Sequence, residues 1–135
     1  MTVNERIEAW FAGREDEYVS ALAPLIAIDS TTGTPEPGKP FGPGPAMALD
    51  AALELARKWG LTTGEDEGYV GTVDLNGQPD QLHILAHLDV VGIGDGWDTD
   101  PFTLVRDGDL IYGRGTDDDK GPVLAALMAM RAVKD

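Results

Sequence analysis

Cysteine is absent from the 135 residues, which excludes disulfides, thiolate metal sites and a thiol nucleophile, and fits a reducing compartment. Basic side chains are scarce: 10 lysines and arginines stand against 24 aspartates and glutamates, for a net charge of −14. That balance argues against nucleic acid or an anionic membrane as a partner, because both recruit positive charge. No apolar run approaches the roughly 18 residues of a membrane span, and the opening residues Met1 to Arg6 are polar. A cytoplasmic protein is the expectation. Hydrophobic content, at 42%, is ordinary, and one domain of this length can bury roughly two-thirds of its unfolded surface.

Along the chain, Ile7, Trp10, Phe11, Tyr18, Leu22, Leu25 and Ile26 recur at three- and four-residue steps, which predicts amphipathic helix from Asn4 to Ile28, with Gly13 as a break. Five prolines and four glycines between Asp29 and Pro45 predict a long irregular loop. A second helix is expected from Ala46 to Trp59, stopped by Gly60. Tyr69 to Leu75 alternates like a strand, and Asn76-Gly77 predicts a reversal into a neighbouring strand, Gln81 to Ala86. Phe102–Arg106 and Leu110–Tyr112 read as short strands joined by Asp107-Gly108-Asp109. A last helix, Pro122 to Val133, is apolar nearly all round, so it should be buried on both sides by a partner or by sequence not present here. The fold class is α/β, a β-sheet flanked by helices.

Chemistry concentrates at two places. In Leu82-His83-Ile84-Leu85-Ala86-His87-Leu88-Asp89, an apolar strand delivers His87 and Asp89 on one side, since side chains two apart in extended backbone point the same way. His87 can ligate a metal through one ring nitrogen while Asp89 holds the other, fixing the tautomer. Alone the pair is weak: with 2 His and 16 Asp in the chain, a chance His-x-Asp is about a one-in-four event. The second cluster, Gly113-Arg114-Gly115-Thr116-Asp117-Asp118-Asp119-Lys120-Gly121, sets three carboxylates side by side before the last helix. Their mutual repulsion calls for a cation or amide donors. The plainer account is a solvated acidic turn capping a helix.

Ala86-His87-Leu88-Asp89-Val90-Val91, Gly96-Trp97-Asp98-Thr99-Asp100-Pro101-Phe102 and Gly113 to Pro122, taken together, resemble the dinuclear-zinc peptidases of the M20 family, and their spacing is most similar to the dipeptidase V branch. The resemblance implies that residues 1–135 form the N-terminal segment of an incomplete zinc-peptidase-like catalytic domain, with the rest of that domain and the lid domain absent. It implies two Zn2+ ions per complete site, His87 and Asp118 as metal ligands, Asp89 orienting His87, and a cis peptide between Asp118 and Asp119. It further implies a dipeptide substrate, hydrolysed in the full-length protein. The Glu-Glu pair that supplies the family's general base, and its later ligands, are absent, so the chain alone should be inactive. A deacylase of N-acyl amino acids shares these residues, and a truncated module that binds metal or a partner without turnover is the non-enzymatic alternative.

His83 reads as a core or edge histidine, because nothing else converges on it. Asp95, Asp98 and Asp100 lack the continuation of a calcium loop. Trp97 reads as packing, and Arg114 and Lys120 as neutralising the carboxylate cluster. The apolar last helix predicts self-association.

Overall fold

A computed structural model describes all 135 residues. Gly13 adopts a φ of 75° and divides the first amphipathic stretch into α1 (Val3–Phe11) and α2 (Glu15–Ile26), a conformation glycine enters without a Cβ penalty. Thr2 caps α1 reciprocally: its hydroxyl accepts from the Glu5 N–H at 3.2 Å, and the Glu5 carboxylate accepts from the Thr2 N–H at 2.6 Å. Two donors left free by the first turn are thereby satisfied.

α3 spans Pro43–Lys58 and so starts three residues before the expected Ala46. Pro43 and Pro45 lie in the first turn, where a missing N–H costs no intrahelical bond and the fixed φ favours the helix. Ahead of them Gly42, at a φ of 93°, lies so close to Gly33 that a Cβ would come within 2.9 Å of its Cα. The irregular loop is therefore closed at its neck.

The strands form two antiparallel ribbons. β1 (Thr62–Asp66) pairs with β2 (Val70–Asp74), Thr62 opposite Asp74 and Asp66 opposite Val70. β3 (Val105–Asp107) pairs with β4 (Leu110–Tyr112) across the expected turn at Gly108. The first ribbon corrects the sequence reading, in which Tyr69–Leu75 paired with Gln81–Ala86. Its partner is instead β1, reached through Glu67 and Gly68, both at positive φ (48° and 77°). Asn76 does bend the chain, accepting from the Gln78 N–H at 3.1 Å, but residues 81–86 form no ladder. The next pairing is an isolated parallel bridge between Thr31 and Val90.

α4 (Lys120–Lys134) buries Lys120, Gly121, Leu124, Leu127 and Met128, while Pro122, Ala125, Ala129 and Val133 are exposed. Within this chain one face packs and the other, carrying mostly small residues, is open, which leaves the expected cover to a partner or to further sequence. Leu22 and Ile26 of α2 meet Leu124 in one core cluster, and Ala56, Leu61 and Leu127 form a second. Both converge on α4, and its N-terminus carries the acidic cluster.

Candidate metal site

The site is built where the exit from α2 meets two distant segments. Ser30 is fully buried, and its hydroxyl donates to the Leu88 carbonyl at 2.6 Å. The Ser30 carbonyl in turn accepts from the Val90 N–H at 3.2 Å. These two bonds pin the backbone on either side of Asp89. From the other direction Lys120, fully buried at the start of α4, donates from Nζ to the carbonyls of Leu25 and Ile28, each at 2.7 Å. Burial pushes the Lys120 pKa down to about 8, opposed by the nearby Asp29 charge.

Between these anchors the side chains meet. His87 Nε2 lies 2.9 Å from Asp118 Oδ1. The opposite ring nitrogen, Nδ1, lies 3.1 Å from the Asp89 main-chain carbonyl oxygen and 3.2 Å from Asp89 Oδ1. The His87 N–H donates to Asp119 Oδ2 at 3.1 Å, and the Asp118–Asp119 peptide is cis. Desolvation acts to lower the His87 pKa, but the Asp89 carbonyl and the Asp89, Asp118 and Asp119 carboxylates outweigh it and raise the pKa above the ordinary 6.5. His87 and Asp118 thus stand opposite each other, half-exposed and exposed respectively. An imidazole nitrogen facing a carboxylate oxygen is a donor pair suited to a borderline divalent cation. The direct hydrogen bond and a shared cation are alternatives at these two atoms. In number the donors fall short, because no group of three metal-capable side chains converges, whereas zinc sites use three or four.

The remaining candidates disperse. Arg114 and Lys120 form no ion pair with Asp117, Asp118 or Asp119, which corrects their neutralising role. The Arg114 guanidinium lies 5.3 Å from the centre of the Trp97 ring and donates to the Gly92 and Ile93 carbonyls. Trp97 donates from Nε1 to the Ile93 carbonyl at 2.8 Å, a packing role. His83 is exposed beside Asp80, 3.6 Å away, and is neither a core nor a ladder residue. Asp100 accepts from the Phe102 N–H and the Thr103 hydroxyl and holds a local turn. The sequence reading missed Ser30, the Asp89 main-chain carbonyl and the carbonyl anchors of Lys120.

Residues 83–135, which contain both candidate ligands, match the model of peptidase family M20/M25/M40. Those residues are similar to a segment of the M20 peptidases. The chain is also 42% identical, over 123 residues, to proteins named as candidate dipeptidases in Staphylococcus aureus strains USA300 and MRSA252. That alignment covers 90% of this chain and 26% of each relative, so the chain spans about a quarter of their length. The crystal structure of human carnosine dipeptidase 1 superposes with a TM-score of 0.75 at 25% identity, over 99% of this chain and 31% of that one. The mixed α/β fold is thus similar, in sequence and in shape, to part of an M20-type dipeptidase. No helix is long and apolar enough to cross a membrane.

Proposed function

We propose that the chain is the N-terminal part of the catalytic domain of a cytoplasmic dipeptidase of the dipeptidase V branch, which hydrolyses dipeptides with two Zn2+ ions. The observation that carries this reading is His87 Nε2 facing Asp118 Oδ1 at 2.9 Å inside an M20 segment. The dipeptidase names of the relatives favour a dipeptide over an N-acyl amino acid as substrate. His87 and Asp118 would hold the metal, and Asp89, facing Nδ1, would keep the His87 proton there and leave the Nε2 lone pair free for it. Asp119 fixes the backbone of His87 through its N–H. A bound pair of such ions supplies a water acidic enough to be deprotonated at neutral pH and polarises the scissile carbonyl. The general base and the other ligands come from sequence beyond these residues, and the open face of α4 is a surface for self-association.

The test is dipeptide release with added zinc, by the 135-residue chain and by a chimera in which it replaces the matching segment of a Staphylococcus relative. The chimera should turn over and the chain alone should not, since loss of a general base by itself costs about 10²–10⁴-fold. H87A and D118A should each abolish turnover in the chimera. Equal turnover by chain and chimera, or turnover that survives H87A, overturns the proposal.

A further inference from the structure

The same six residues leaving α2 hold both halves of the site. Ser30 grips residues 88 and 90, on either side of Asp89 and next to His87, through its hydroxyl and its carbonyl. The carbonyls of Leu25 and Ile28 hold Lys120, two positions after Asp118. The strip itself is firmly seated, because a Cβ on Gly44 of α3 would come within 2.2 Å of the Asp29 carbonyl oxygen. The turn carrying Asp118 is equally tight: the Gly121 N–H donates to the Gly115 carbonyl at 3.1 Å, and a Cβ on Gly121 would lie 2.0 Å from the Thr116 carbonyl oxygen. A displacement of Lys120 is therefore passed on to Asp118.

Stability alone is a poor reason for this arrangement. Lys120 is fully buried with no carboxylate in contact, and burying an ammonium on carbonyls is costly compared with an apolar side chain of similar volume. What a lysine adds is a long arm with directional donors that fixes one backbone at a set distance from another. Resting on the reading of His87 and Asp118 as metal ligands, we infer that residues 25–30 act as a gauge setting the separation of these two side chains, with Ser30 and Lys120 as positioning residues that act through the backbone beside each ligand.

The experiment reads the imidazole nitrogens of His87 by NMR in the 135-residue chain, with exposed His83 as internal reference. S30A removes one hydrogen bond and little volume, and S30C keeps the volume with a weak donor. L61A, in the other core cluster, is the control for destabilisation alone. In S30A the His87 ring signals should move toward those of His83, with S30C between S30A and wild type and L61A unchanged. K120M should produce the same movement from the Asp118 side. In a titration with zinc alone followed at the His87 ring, S30A should weaken binding by about 10–100-fold, the range for loss of a group that orients a ligand. If S30A and S30C lower the melting temperature as L61A does but leave the His87 ring signals at their wild-type positions, the gauge is overturned and both residues are structural. The metal-free spectra decide the gauge whether or not zinc binds, so failure of the dipeptidase reading shows separately, in the chimera assay.

Discussion

Glu17 shows how a single side chain joins elements in this acidic molecule. Its carboxylate accepts from Arg131 of α4 and, at 2.8 Å, from Arg14. The Arg131 hydrogen bond, then that of Arg14, holds its pKa below the ordinary 4.5. A lowered folded-state pKa gives stability that is present above the unfolded value and is lost as pH falls from about 4.5 through the lowered value. The difference in melting temperature between wild type and E17Q should be largest near neutral pH and shrink as the pH drops below 4.5. A difference independent of pH would show that Glu17 acts through packing. The two partners also differ in setting, since Arg131 stacks toward Trp10 and Trp59, with guanidinium-to-ring distances of 5.6 and 5.2 Å. It holds α1, α2 and α3 to the last helix.

Among the elements, residues 81–89 carry the sharpest expectation. Leu82, Ile84 and Leu85 are 79, 60 and 97% exposed, and the amides of residues 82–86 find no backbone acceptor. Hydrogen exchange there should approach the rate of an unstructured peptide, whereas the buried turns of α2 and α4 should be protected. Slow exchange over 82–86 in dilute solution would mean that the segment is paired in a way this fold does not contain. The same segment marks the limit of what the sequence disclosed. The helices, the Gly108 turn and the closed proline loop were legible because their signals are local: glycine at positive φ, proline in a first turn, apolar spacing. β1 was not, because Thr62–Asp66 lacks alternation and its turn at Glu67-Gly68 is not one of the common hairpin dipeptides. The apolar run 82–88 announces burial but not what covers it, so assigning it to β2 was a guess about a partner. At the site, His87, Asp89 and Asp118 could be named because their motif is one of side chains. Ser30 could not, and Lys120 was named for a different role, since both bind main-chain carbonyls and no side-chain pattern records such a contact.

As a whole molecule the chain exposes 8654 Å², against about 6,800 Å² for a compact monomer of its mass by the usual scaling. The excess of roughly 1,800 Å² is about twice the ~800 Å² that one partner contributes to a standard protein interface. It includes the open face of α4 and the 82–85 side chains. Against association stands the net charge of −14, a repulsion that salt screens over a Debye length of about 10 Å at 0.1 M. Sedimentation should therefore show association increasing with salt, and replacing Leu82 and Leu85 with lysine should reduce it. A monomer at every ionic strength would mean that these surfaces are tolerated in water.

The anchoring of the site on Leu25–Ser30 also has a temporal side. Ser30 must wait for Leu88, 58 residues further on, and Leu25 and Ile28 must wait for Lys120, 95 and 92 residues away. Closing loops of these lengths differs by less than about 0.5 kcal/mol, because the entropy grows only with the logarithm of length, so neither closure has a large head start. On a ribosome the order is nonetheless imposed, since residue 88 emerges before residue 120. His87 is then tethered to the end of α2 while its partner carboxylate is still unmade, and a nascent chain shorter than about 120 residues has nothing with which to assemble the site.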